Sequence, residues 1–173
     1  MRKSLIAATL LIAATSAWAH GPTRQKVAET VTIAAPPDAV WNRVKDFAAM
    51  QGWHPAVESS QATAGSELGS VRTLHLKGGG RIVEELTRYS AEERRFAYKM
   101  NDPGPIPVTN YSSTLSVNPG DGNTTVVEWR GAFYRGDPNN NPAPERNDDA
   151  AIAAVTGVYQ AGLGNLKKLV EGK

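Results

Sequence analysis

Glu84 is the residue of this chain that its neighbours suit least. It stands in Arg81-Ile82-Val83-Glu84-Glu85-Leu86, so in an extended strand it shares a face with Ile82 and Leu86. Burying a carboxylate between two large apolar side chains is costly unless it is paired or protonated. Two chemistries would account for it. One is a general acid or base at the wall of a cavity, its pKa raised by desolvation. The other is an ion pair with Arg72, which shares the inward parity of its strand with Leu74 and Leu76. Ion-pair networks perturb ionisation much as functional sites do, so both readings stay open.

Two residues would complete an acid/base set around a hydrophobic substrate: His54, in Trp53-His54-Pro55, and Tyr111. Strand parity supplies the other inward side chains. These are Phe96, Tyr98 and Met100, then Tyr111, Ser113, Leu115 and Val117, then Val127, Trp129 and Phe133. A ligand site built from these sets would draw on His54, Arg72, Leu74, Leu76, Glu84, Tyr98, Tyr111, Ser113, Trp129 and Phe133. Ordinary core packing explains Tyr111 and Trp129 equally well.

Other chemistries find no residues to carry them. The chain has no cysteine, which excludes thiol catalysis, zinc–thiolate sites and iron–sulfur clusters. There is no Gly-x-Ser-x-Gly elbow, no phosphate loop and no His-Glu-x-x-His. Lys77-Gly78-Gly79-Gly80 lacks phosphate-loop spacing and reads as a hairpin turn. A copper site on His20 would need His54 or His75 as a second ligand, and the order of elements does not fit such enzymes. Neither metal nor cofactor is expected.

The elements that must position the candidates are legible from periodicity. Gln25–Ala34 alternates as a strand, and Pro36-Pro37-Asp38 opens a helix carrying Val40, Trp41, Val44 and Phe47. A very short helix over Met50–Trp53 stops before Pro55. Six strands are predicted next: Val57–Thr63, Val71–Leu76, Arg81–Ser90, Arg95–Met100, Val108–Asn118 and Thr124–Arg135. A polar loop, Gly136–Asn147, precedes a long helix over Asp148–Val170, capped by Asn147 or Asp148. Its apolar stripe is Ile152, Val155, Tyr159, Leu163, Leu166 and Val170. A second stripe of small residues (Ala150, Ala153, Ala154, Gly157, Ala161 and Gly164) lies roughly opposite, where it would form a bland exposed face, a contact surface or the roof of a cavity.

Residues 1–19 read as a cleaved signal peptide: Arg2 and Lys3, an apolar run over Leu5–Ala14, and Ala17-Trp18-Ala19 before a cut between Ala19 and His20. The expected location is periplasmic or secreted, with no membrane insertion after cleavage. Residues 20–173 suffice for one domain with its own core. Loss of Arg2 and Lys3 takes the formal charge from +2 to zero. No basic cluster remains, so nucleic acid is not an expected partner.

Strand, two short helices, six strands and a long helix is an order that resembles the START/birch-pollen-allergen (SRPBCC) superfamily, also called polyketide cyclase/dehydrase-like. The residues carrying the resemblance are Ala34-Ala35-Pro36-Pro37-Asp38-Ala39-Val40-Trp41, Trp53-His54-Pro55, Gly69-Ser70-Val71-Arg72, Arg81-Ile82-Val83-Glu84-Glu85-Leu86 and Asn110-Tyr111-x-Ser113. The resemblance implies an α+β helix-grip fold: a curved seven-stranded antiparallel sheet wrapped around a long C-terminal helix, with two short helices after the first strand. Through Asn110-Tyr111-x-Ser113 the chain is also similar to plant abscisic-acid receptors. In them the positions matching His54, Glu84, Tyr111, Ser113 and Trp129 contribute to the ligand pocket. The receptor gate and latch are replaced here by Lys77-Gly78-Gly79-Gly80 and Ile106-Pro107-Val108, so hormone-style gating does not carry over.

Within the superfamily, four features look most like MxaD-type periplasmic accessory proteins of methanol oxidation. They are the leader, His20-Gly21-Pro22, Val127-Glu128-Trp129 and Gly162-Leu163-x-Asn165-Leu166. That resemblance implies a non-enzymatic binding or accessory module. Its expected partners are a small apolar ligand and a periplasmic dehydrogenase or cytochrome. The alternatives are a cyclase/lyase-type enzyme using Glu84, His54 and Tyr111, and a lipid or hydrophobe carrier. A carrier needs a large cavity opening near Lys77–Gly80 and Asp102–Val108.

Overall fold

The computed structural model describes residues 21–172. The signal peptide and the cut before His20 lie outside the described residues. Seven antiparallel strands form one sheet: β1 (Gln25–Ile33), β2 (Val57–Ala62), β3 (Val71–Leu76), β4 (Arg81–Ser90), β5 (Arg95–Asp102), β6 (Val108–Pro119) and β7 (Thr125–Arg135). Their order across the sheet is β1-β7-β6-β5-β4-β3-β2. Consecutive strands from β2 to β7 are therefore neighbours, and β1 closes onto β7, with Val27 opposite Gly131. Helix α1 (Pro37–Val44) and a 3-10 turn at Met50–Gly52 link β1 to β2, and helix α2 (Asp148–Glu171) ends the fold. This is the helix-grip architecture expected from the order of elements.

Local chemistry explains the helix ends. Pro36 is extended (φ −66°, ψ 152°), Pro37 begins α1 and Asp38 sits in its first turn, where proline lacks no needed N–H and a carboxylate meets the positive helix end. Asn147 caps α2 by accepting from the Ala150 N–H at 2.8 Å. Gly172 terminates it in the left-handed conformation at φ 70°. The loop before α2 contains a 3-10 turn, Pro144–Arg146, that sequence periodicity does not reveal.

Strand parity holds throughout the core. Ile82, Glu84 and Leu86 are buried on β4, and so are Phe96 and Tyr98 on β5. Tyr111, Ser113, Leu115 and Val117 are buried on β6, with Val127, Trp129 and Phe133 on β7. Arg72 and Leu74 face inward from β3 with Glu84 and Ile82 directly opposite them on β4. Helix α2 lays Val155, Tyr159, Leu163 and Leu166 onto this face. Ile152 and Val170 of its predicted stripe are only partly buried.

Polar bonds hold α2 in place along its length. Arg135 Nη1 donates to Asp148 at 2.9 Å near its start. Asn165 donates to the Trp53 carbonyl at 2.8 Å, and Lys167 to the Thr32 carbonyl at 2.7 Å. The small-residue stripe is partly or fully exposed at Ala150, Ala153, Ala154, Gly157, Ala161 and Gly164. Gly162 is different: it is buried against His54 and Trp129.

Candidate functional site

Two aromatic layers frame the interior. Trp53, from the turn after α1, lies 5.4 Å from Trp129, and Trp129 stacks on Tyr159 of α2 at 4.4 Å and 15°. This links turn, sheet and helix. Phe133 stacks on Tyr111 at 6.0 Å. Between the first layer and strands β3–β5 lies a cavity of about 100 Å³. Of the sequence-derived ligand set, His54, Leu74, Leu76, Glu84, Tyr98, Tyr111 and Trp129 line it.

Three members of that set do not line it. Arg72 stands behind Glu84, with its guanidinium carbon 4.0 Å from the Phe47 ring centroid and 5.3 Å from that of Tyr98. Ser113 is held under Trp129 and Tyr159 by bonds to both. Phe133 is screened by Tyr111, on which it stacks. Sequence reasoning placed Ile82 and Met100 inward without assigning them to the ligand set, and it missed Met50, Ala56, Val57, Ile106 and Val158, which also line the cavity. Val57 opens β2; the other four come from a turn, loops and the flank of α2, where no strand parity points inward.

Glu84 is bound to Arg72. Arg72 Nε donates to Glu84 Oε2 at 2.9 Å, and Nη2 donates to the same oxygen. Both side chains are only 2% exposed. Arg72 Nη1 also donates to the Phe47 carbonyl at 2.8 Å. Hydrogen bonds and ring contacts thus compensate the desolvated cation, as a buried pair requires.

His54 uses both ring nitrogens. Nε2 lies 3.0 Å from the Val158 carbonyl, and Nδ1 accepts from the Ala56 N–H at 3.3 Å. That pattern fixes a neutral ring with its proton on Nε2. Burial pushes its pKa below the ordinary 6.5; the Val158 bond opposes this and the Arg72 charge adds to it. His54 therefore fastens the middle of α2 to the segment that opens β2.

The tyrosines form a closed network. The Tyr111 and Tyr159 hydroxyls are bonded to one another, and Tyr159 bonds Ser113 Oγ at 2.9 Å. Ser113 donates to the Arg130 carbonyl at 2.9 Å. Trp129 Nε1 donates to both the Tyr98 hydroxyl and Ser113 Oγ, each at 3.0 Å. Gly131 makes room for it, since a Cβ there would collide with the Tyr159 hydroxyl. Burial raises the pKa of Tyr98, Tyr111 and Tyr159 above the usual phenol value of 10.0.

A second hollow, about 550 Å³, lies on the outer face of the sheet. Small residues, Ala28, Ala97, Thr114 and Ala132, line it together with Lys26 and Arg130. Among the described residues, no helix is long and apolar enough to cross a membrane.

Comparison with solved structures agrees with this architecture. XoxI from Bacillus cereus is 32% identical at a TM-score of 0.72, over 84% of this chain and 95% of that one. The Zhui aromatase/cyclase from Streptomyces sp. R1128 is 21% identical at 0.68, over 86% and 94%. Norcoclaurine synthase from Thalictrum flavum is 17% identical at 0.66, over 95% and 100%. The two enzymes, at these identities, share the fold. No curated protein matches the chain. The family model described as polyketide cyclase/dehydrase and lipid transport matches residues 24–171, and the chain belongs to that family.

Proposed function

We propose that this chain is a binding or accessory module that takes a small, largely apolar molecule into its interior, and not an acid/base enzyme. One observation carries the reading. His54, Glu84 and Tyr111 all border the same cavity, yet each is already bonded to a protein partner. A general base must take up a substrate proton, and here a neutral His54 donates its Nε2–H to the Val158 carbonyl, while protonating Glu84 would leave its buried partner Arg72 as an unbalanced cation. Apolar side chains, among them Leu74, Leu76, Ile82 and Met100, make up most of the remaining wall. The volume of about 100 Å³ lies well below the roughly 300–1,000 Å³ of drug-sized sites, which disfavours lipid carriage.

Native mass spectrometry of the protein purified from its own host tests this. A retained small molecule, kept by His54→Gln and Tyr111→Phe variants that still fold, is the expected result. Conversion of a hydrophobic substrate that is lost in both variants would establish the enzyme reading instead.

A second reading concerns partners. The leader-like residues 1–19 support export, and the hollow beside Lys26 and Arg130 offers a surface for a protein. On this reading the exported protein assists a periplasmic dehydrogenase–cytochrome interaction, as in methanol oxidation. A pull-down from the native periplasm should recover one of the two. Recovery of neither would remove the reading.

A further inference from the structure

We infer that the interior site selects a short neutral alcohol. The inference rests on the proposed binding function and narrows it to a ligand class. Both Arg72 bonds to Glu84 fall on Oε2, so Arg72 does not occupy Oε1. Glu84 lines the cavity. A buried acceptor of that strength favours a ligand that donates a hydrogen bond.

Charge and size narrow the donor further. Arg72 already balances Glu84, so an ammonium would bring an unbalanced buried cation and a carboxylate an unbalanced anion; both are strongly disfavoured. A hydroxyl donates without adding charge. Around it, Leu74, Leu76, Ile82 and Met100 suit only an alkyl body. A cavity of about 150 Å³ takes benzene, so one of about 100 Å³ takes roughly three to five heavy atoms. Propanol and butanol meet all three conditions.

Methyl-region NMR of the purified protein tests this with n-propanol, n-butanol, n-octanol, propylamine, butyrate and xenon. The alcohols of three and four carbons should give saturable shifts at the cavity methyls. Propylamine and butyrate should bind at least about tenfold more weakly, and n-octanol should not enter. Leu76→Trp fills the cavity wall without touching the ion pair and should abolish the shifts. The double variant Arg72→Leu, Glu84→Leu should still take xenon but lose its preference for alcohol over xenon. Equal binding of amine, xenon and alcohol by the unmodified protein would overturn the alcohol assignment and leave the binding function standing. Absence of any shift with every probe, xenon included, would remove the binding function itself.

Discussion

Gly162 lies directly against His54: a Cβ built on it would stand 2.6 Å from His54 Cδ2, and 2.8 Å from Trp129 Cζ3. Neither ring can retreat easily, because His54 is bonded through both nitrogens and Trp129 is stacked on Tyr159. Gly162→Ala should therefore destabilise the fold by about 1–3 kcal/mol through overpacking, despite the helix-propensity gain. Gly157 and Gly164 have nothing within 4 Å of the same position. Alanine there should stabilise by about 0.5–1 kcal/mol. Denaturant melts of the three variants check the contrast, and equal effects would refute the packing argument.

Stability should fall with acid through His54. Its pKa is depressed in the folded protein, so below pH 6.5 the unfolded chain binds a proton that the folded one refuses. The contribution is complete above that pH and is lost as the pH drops toward the folded value. Melting temperature measured against pH should show this slope, and His54→Gln should flatten it.

The interior pair predicts a non-additive mutant cycle. Arg72→Met strands the Glu84 carboxylate and should cost about 3–5 kcal/mol. The double variant Arg72→Met, Glu84→Met removes both charges and should recover much of that loss. Additive losses in chemical denaturation would show that the pair matters only as volume.

Alkali should act through the tyrosine network. Burial raises the pKa of Tyr98, Tyr111 and Tyr159, so their contribution is complete below pH 10 and lost as the pH climbs past it. Their tyrosinate absorbance should appear together with unfolding measured by circular dichroism. Tyr159→Phe, which breaks the bonds to Tyr111 and Ser113, should cost about 1–3 kcal/mol.

The fold was largely legible because strands announce their faces. Alternation in Arg81-Ile82-Val83-Glu84 places Glu84 inward, and the partner strand's parity places Arg72 opposite it. Turn-forming glycines and prolines bound the strands to within two residues. The cavity was less legible. Its size depends on how far Trp129 and Tyr111 fill the space, and three of its walls come from Met50, Ile106 and Val158, in segments without a two-residue period. Gly162 carries no side chain to mark its face, so nothing in its residue type separates it from Gly157 and Gly164. Its position against two rings becomes visible only in three dimensions.

The closure of β1 onto β7 has a kinetic side. Val27 pairs with Gly131, Thr32 receives Lys167, and the Ala34 N–H donates to Glu171 at 2.9 Å. β1 thus finds its partners in β7 and α2, far along the chain from it. During synthesis β1 has neither edge paired until β7 follows, its register running from Ile33 opposite Thr125 to Gln25 opposite Phe133. Such non-local pairing slows folding toward the millisecond-to-second range and prolongs exposure of an aggregation-prone edge. β1 is thus the strand most open to wrong pairing until β7 and α2 cover it.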